Sequence, residues 1–310
     1  MSRRAVVFGY HNVGVRCLAV LLAHGIEVPL VVTHRDDPNE RIWFDSVAEL
    51  AARHDIPVIA PDDANADDVI ARVREAAPDY IFSFYYRNVL RMPLLQTASR
   101  GAYNLHGSLL PKYRGRVPVN WAVLHGERET GATLHEMTEK IDAGRIVDQY
   151  AVPILPDDTA ADVFAKVTVA SELVLHRALP DLLRGTAQLR EQDLRIGAYF
   201  GGRKPEDGRI DWSQSATQIH NLVRAVAPPY PGAFADLPGI GQLRVLRTTR
   251  ANAHLHGPAL HAIDGRLILA CADGSSLRIL EAELDNQPLD AQGWIARVGP
   301  QPLPLNTTTS

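Results

Sequence analysis

The chain is short of cysteine, of net charge and of long apolar runs, and each scarcity removes a class of protein. Two cysteines, Cys17 and Cys271, stand far apart in 310 residues, each within an apolar stretch. A disulfide framework or a cysteine-based zinc site needs more ligands at tighter spacing, so both read as buried free thiols in a reducing compartment. Lys plus Arg number 32 against 36 Asp plus Glu, a net charge of −4. Affinity for nucleic acid rests on neutralising phosphates, which needs a basic surplus, so no nucleic-acid partner is expected. The longest apolar runs, such as Cys17 to Ala23, fall well short of the roughly 18 residues that cross a bilayer, and no membrane insertion is expected. Met1-Ser2-Arg3-Arg4 leads directly into Ala5-Val6-Val7-Phe8, which is too brief for a secretory core and reads as a first strand. The expectation is a cytoplasmic chain.

What is present is ordinary for a soluble protein with a full core: 46% hydrophobic and 22% charged residues. The length suits two domains. Through the first half, strand and helix signals alternate. Ala5 to Gly9, Val28 to Thr33, Pro57 to Ala60 and Tyr80 to Phe84 read as strands. Val13 to His24, Trp43 to Arg53 and Asp67 to Ala76 read as helices. Such alternation implies right-handed crossovers and a mostly parallel sheet covered on both faces, a Rossmann-like α/β fold. Ligands bind such sheets beyond the carboxyl ends of the strands.

Thr159 and Asp162 fit a capping box opening a long helix, whose stripe of Val163, Phe164, Val167, Val174, Leu175, Ala178 and Leu182 runs to Gly185. Gly201 to Gly208 clusters Gly, Pro and charge without periodicity and reads as a connector. A helix over Ala216 to Ala227 follows, then short strands at Leu243 to Leu246, Leu267 to Cys271 and Leu277 to Leu284, which suit a small OB-like β-barrel. The expected division is a catalytic domain over 1–200, a linker helix with the small barrel over 201–300, and a disordered Pro- and Thr-rich tail over 301–310.

The first βα turn, Gly9-Tyr10-His11-Asn12-Val13-Gly14, lacks the spacing of a dinucleotide-binding loop. The chemistry concentrates later, at Ala102 to Trp121. Asn104 and His106 share one strand face at period two, just before Gly107 and Ser108 turn the chain out of the sheet. A carboxamide beside an imidazole suits acyl transfer: the amide donates to an oxyanion and the imidazole handles a proton. Alone, Asn-x-His is also a common structural pair. Gly131 to Met137 alternates like a strand, and Asp142-Ala143-Gly144 follows a polar loop; Asp142 either returns to the imidazole or caps a turn. Lys112, Arg114 and Arg116 form either an anion clamp or a solvated basic loop. Tyr230, among three prolines, suits either a base-stacking role or a plug between domains. His135 either lies near the site through its strand or is an ordinary strand residue.

Asn104-Leu105-His106-Gly107-Ser108-Leu109-Leu110-Pro111, followed by Asp142-Ala143-Gly144, resembles the folate-dependent formyltransferases, which use an Asn, His and Asp set in a Rossmann-like domain. Within that family the likeness is greatest to the formyltransferases of UDP-linked 4-amino-4-deoxy-L-arabinose. It is carried by Phe82 to Arg87, Leu109 to Arg116, Glu129-Thr130-Gly131, Val223 to Ala227 and Pro231 to Phe234. The resemblance implies that Asn104 stabilises the oxyanion, His106 accepts the amine proton and Asp142 tunes His106. It implies a 10-formyltetrahydrofolate site along Asn88, Val89 and Leu90, completed by Arg116, Asp142 and the loop Thr138, Glu139, Lys140 and Ile141. Position 88 departs from the family pattern, with Asn88 in place of His. Lys112, Arg114 and Tyr230 would face a nucleotide-linked aminosugar, UDP-linked by this likeness, in a lipid A modification route. No metal is implied. The competing readings are a methionyl-tRNA formyltransferase, a formyltetrahydrofolate hydrolase and a non-enzymatic nucleotide-sugar binding protein.

Overall fold

A computed structural model describes residues 3–38 and 42–305 of the chain. It divides into two compact units. The first holds Met1–Pro118, Glu129–Pro153 and Ala165–Gly201; the second holds Val119–Arg128, Ile154–Phe164 and Gly202–Ser310.

The first unit alternates as the periodicity requires. Its order is β1 (Arg4–Gly9), α1 (His11–Ala23), β2 (Glu27–Val32), α2 (Val47–Arg53), β3 (Val58–Ile59), α3 (Asp67–Glu75), β4 (Tyr80–Phe84), α4 (Met92–Leu95) and β5 (Gly101–His106). The short β6 (Arg114–Gly115), α5 (Pro118–Leu124), β7 (Glu129–Glu136), β8 (Ile146–Pro153), α6 (Ala160–Arg184) and β9 (Tyr199–Phe200) follow in the chain. The sheet order is β3-β2-β1-β4-β5-β7-β8. The first five strands run parallel, while β7 and β8 join antiparallel. Strands covered on both faces are apolar throughout, and Ala5, Val6, Val7 and Phe8 of β1 are all fully buried. Adjacent parallel β4 and β5 end side by side, with Phe84 opposite Leu105, so the loops that leave them share one edge of the sheet.

One helix is shorter than its pattern. The expected Trp43 to Arg53 begins only at Val47, because Ser46 caps it by accepting from the Glu49 N–H at 3.3 Å. Trp43 and Phe44 instead pack on the His11 ring, at 4.6 and 3.9 Å between centroids. The Thr159 capping box is present: the Thr159 N–H donates to Asp162 Oδ2 (2.9 Å), and the Asp162 N–H donates to Thr159 Oγ1 (3.2 Å).

The second unit is a curled antiparallel half-barrel around a helix. It contains α7 (Ala216–Ala225), β10 (Ala233–Leu237), β11 (Gly241–Ala251), β12 (Ala259–Ile263), β13 (Arg266–Ala270), β14 (Ser276–Leu284), β15 (Gln287–Pro288), α8 (Ala291–Val298) and β16 (Leu303–Pro304). The strand order β10-β11-β14-β13-β12-β16 leaves the sheet open, and Trp294, Ile219, Leu243, Leu260 and Leu277 fill its core. The tail expected to be disordered from 301 departs from that reading. Leu303 and Pro304 pair with β12, and Leu305 is buried with its N–H on the Pro258 carbonyl (2.9 Å). Pro304 is tolerated because β16 is an edge strand. Residues 306–310 of that tail lie outside the described residues.

Candidate active site

Asn104 and His106 lie at the carboxyl end of β5, beside the antiparallel neighbour β7. Asn104 stands opposite His135 of β7, and His106 opposite Thr133. Residues directly opposite in such a pair share a face, which brings His135 to the Asn104 side chain. Their separation is 3.2 Å from Asn104 Nδ2 to His135 Nε2.

After β7 the chain loops through 137–141 and presents Asp142 with φ 51, a left-handed conformation that Asp tolerates better than most residues. Gly144 makes this return possible, since a Cβ there would lie 2.1 Å from the Glu136 carbonyl oxygen. Gln192 ties the loop down, donating from Nε2 to the carbonyls of Asp142 (3.1 Å) and Gly144 (2.6 Å). The Asp142 carboxylate sits between two imidazoles, with Oδ2 3.6 Å from His106 Nδ1 and Oδ1 3.5 Å from His135 Nε2. Oδ2 also accepts the Gly115 N–H at 2.8 Å, and Oδ1 faces Asn104 Nδ2 at 3.4 Å.

Burial works to raise the pKa of this carboxyl. The charge of His106, followed by the contact with His135 and by the Gly115 N–H, outweighs it and holds Asp142 well below the usual carboxylate range. Asp142 is therefore a buried anion fixed by donors. His106 is itself 6% exposed, and its Nε2 donates to the Tyr113 carbonyl at 2.8 Å. Asn104 is the half-buried member of the group.

Asn104, His106 and Asp142, read from the sequence, thus come together. His135, for which the sequence also allows an ordinary strand role, joins them through a pairing register that no local pattern reveals. The expected folate positions lie around the sheet edge. Asn88 and Val89 are exposed beyond β4, on a segment pinned by Asn65, whose Nδ2 donates to the Val89 carbonyl (2.9 Å) and whose Oδ1 accepts from the Arg91 N–H (2.7 Å). Leu90 is buried in the core beside Phe8 and Leu94. Thr138, Glu139, Lys140 and Ile141 form the exposed loop leading into Asp142, and Arg116 is exposed with its N–H on the Phe200 carbonyl (2.9 Å).

Of the three residues expected at the sugar, Lys112 is exposed, whereas Arg114 is a correction. It is 8% exposed, and its guanidinium donates to the carbonyls of Leu194 (3.4 Å) and Gly197 (3.1 Å), so it braces a turn instead of standing on a basic loop. Tyr230 packs half-buried on the core of the second unit and bonds to Asn120, and burial raises its pKa. Among the described residues no group of three or more His, Cys, Asp or Glu could hold a metal ion, and no helix is long and apolar enough to cross a membrane. Both cysteines are buried and free, and burial pushes the Cys271 thiol up to about 12.

The sequence model of the formyl transferase family matches residues 4–179, and that of the formyl transferase C-terminal domain matches residues 203–299. The chain belongs to the formyl transferase family. Among solved structures this formyltransferase is similar to the sugar 3N-formyl transferase WlaRD, crystallised with dTDP and 5-N-formyl-THF. That match has 21% identity and a TM-score of 0.72, covering 93% of this chain and 99% of that one. An N-formyltransferase from Helicobacter canadensis, in complex with folinic acid and dTDP-3-aminofucose, matches at 22% identity and a TM-score of 0.70, covering 93% and 100%. A sugar N-formyltransferase from a Shewanella species matches at 19% and 0.62, covering 83% and 100%. At these identities the likeness shows a shared fold.

Proposed function

We propose that this formyltransferase moves a formyl group from 10-formyltetrahydrofolate to the amine of a nucleotide-linked aminosugar. The observation that carries the reading is the meeting of buried His106 and Asp142 with half-buried Asn104 in one cluster. Such a donor set fits a formyl donor, because N–H groups suit an oxygen that gains negative charge as nitrogen attacks the carbon. Bound 10-formyltetrahydrofolate supplies that activated formyl carbon.

Asn104 donates to the formyl oxygen, and preorganised donors of this kind are typically worth about 2.7–4 kcal/mol in the transition state. His106 takes the proton that the attacking amine sheds. For that, the ring's own proton must sit on Nδ1, against Asp142 Oδ2, with Nε2 released from the Tyr113 carbonyl. Asp142 remains ionised throughout and stabilises the imidazolium that His106 becomes. Asn88, Val89, Arg116 and the 138–141 loop are assigned to the folate, while Lys112 is the cation left for the acceptor's diphosphate once Arg114 is committed to backbone carbonyls.

The acceptor to test first is UDP-4-amino-4-deoxy-L-arabinose, on the likeness of Phe82 to Arg87 and Leu109 to Arg116. The WlaRD and Helicobacter canadensis enzymes, crystallised with dTDP and dTDP-3-aminofucose, make dTDP-aminosugars the second group. The test is incubation with 10-formyltetrahydrofolate and a panel of UDP- and dTDP-aminosugars plus initiator methionyl-tRNA, read by mass spectrometry. Formylation of a nucleotide sugar is the expected result. Formylation of the tRNA alone, or folate breakdown without any formylated acceptor, would overturn it.

A further inference from the structure

We propose that His135 is a positioning residue that sets which end of the Asn104 carboxamide faces the substrates; the inference rests on the formyl-transfer reading above. His135 is 1% exposed, so its ring nitrogens must both be matched inside the protein. Nδ1 lies 2.7 Å from the Glu136 carbonyl, which only accepts, so Nδ1 carries the proton. The group that Nε2 meets is Asn104 Nδ2 at 3.2 Å, an amino group that can only donate, so Nε2 accepts.

A second acceptor, Asp142 Oδ1, lies 3.4 Å from the same nitrogen and 3.5 Å from His135 Nε2. The amino group of Asn104 is therefore turned towards two acceptors, and in the proposed arrangement one N–H bridges them. Its other N–H, fixed in the amide plane about 120° away, points out of the pair. Turned the other way, the carboxamide oxygen would face an imidazole lone pair and a carboxylate together, and its amino group would be swung off both. His135 makes the shorter of the two bonds and so holds the outward N–H ready for the formyl oxygen, at no reorganisation cost during the reaction. Asp142 serves both rings, and His135 reaches the reaction through Asn104 by the shorter of its two contacts.

That distinction gives a test with a readout that packing alone would not move. His135→Asn keeps a donor for the Glu136 carbonyl and withdraws the acceptor from Asn104. His135→Gln returns an acceptor at the reach of Nε2. We expect His135→Asn to lower kcat by about 10- to 100-fold with KM for both substrates within about threefold, and His135→Gln to recover kcat to within about fivefold of wild type. In an Asn104→Ala background the same two substitutions should change kcat by less than about twofold, because the residue they act through is gone. Should His135→Asn melt early, His135→Leu, similar in volume and without an acceptor, takes its place in the cycle.

Equal losses in the wild-type and Asn104→Ala backgrounds would overturn the proposal, as would a fully active His135→Asn. A wild-type chain that formylates no acceptor removes the function reading and this inference with it. A wild type that does so with additive losses removes the inference alone.

Discussion

In the second unit the non-glycine residues with positive φ are Asp264, Asp285 and Asn286, at the tight turns joining β12 to β13 and β14 to β15. Such turns demand that conformation, and Asp and Asn adopt it cheaply. In the first unit the same backbone region holds His11, Asp55 and Ala77, and with them a group of four, Tyr85, Tyr113, Val117 and Asp142. Bulky and β-branched residues pay for it, about 1–3 kcal/mol each. These four lie on the segments that leave β4 and β5 or that precede Gly144, around the Asp142 cluster. The buried polar groups differ likewise. His220 of the second unit bonds through both ring nitrogens, to Thr248 Oγ1 (2.8 Å) and the Pro156 carbonyl (2.9 Å), with the exposed Asp157 carboxylate 3.6 Å from Nε2. In the first unit two imidazoles share one carboxylate. The first unit gathers four such residues and a buried carboxylate where the chemistry is assigned.

The largest test of that contrast is His106→Ala. It should lower kcat by about 10²–10⁴-fold and flatten the pH–rate profile, whereas His220→Gln should leave both unchanged and register only in thermal melting. An unchanged profile for His106→Ala would remove the contrast. Asp142→Asn keeps an oxygen for the Gly115 N–H but loses the charge, and we expect a fall of about 10²-fold in kcat. It carries a stability signature too. A carboxyl held below its unfolded value contributes stability that is present above about pH 4 and lost as pH falls below that. The acid limb of the wild-type stability curve should shrink in Asp142→Asn, as read by urea unfolding at several pH values.

Two smaller effects sharpen the comparison. Val117→Gly should raise stability by about 1 kcal/mol by relieving its backbone, while Asn286→Ala should lower it by a similar amount. Paired melting curves that move in the same direction would contradict the uneven placement of strain. His34 is pulled down to about 4, by burial first and then by Arg87, and its Nε2 accepts the Arg87 N–H at 2.9 Å. Its folded pKa lies below the ordinary value of about 6.5, so its contribution is complete above that pH and is lost as pH falls towards 4. His220 is lowered by burial in the same direction. His34→Gln should therefore flatten stability across this window more than His220→Gln, as measured by denaturant titration.

Much of the fold was legible because parallel strands covered on both faces leave unmistakable apolar runs, as in Ala5 to Phe8 and Tyr80 to Phe84. Strand β8 was not foreseen. It lies at the sheet edge, and Asp148, Gln149 and Tyr150 break its alternation with half-exposed or exposed positions. Helix α8 was missed because eight residues with one buried tryptophan carry little periodicity. In the site, Asn104 and His106 were visible as a period-two pair, but Asp142 joined them through family likeness, since local spacing allowed a plain turn. His135 depends on antiparallel register, and Arg114 on carbonyls some eighty residues away. Contacts of that range leave no mark on the neighbouring sequence.

The central claim is that the carboxamide of Asn104 stabilises the charge that forms as a one-carbon unit passes to nitrogen. Single-turnover formyl transfer by Asn104→Ala, with both substrates saturating, tests it most directly. The account predicts a rate about 10²–10³-fold below wild type with an unchanged melting temperature; a rate within a few-fold of wild type would contradict it.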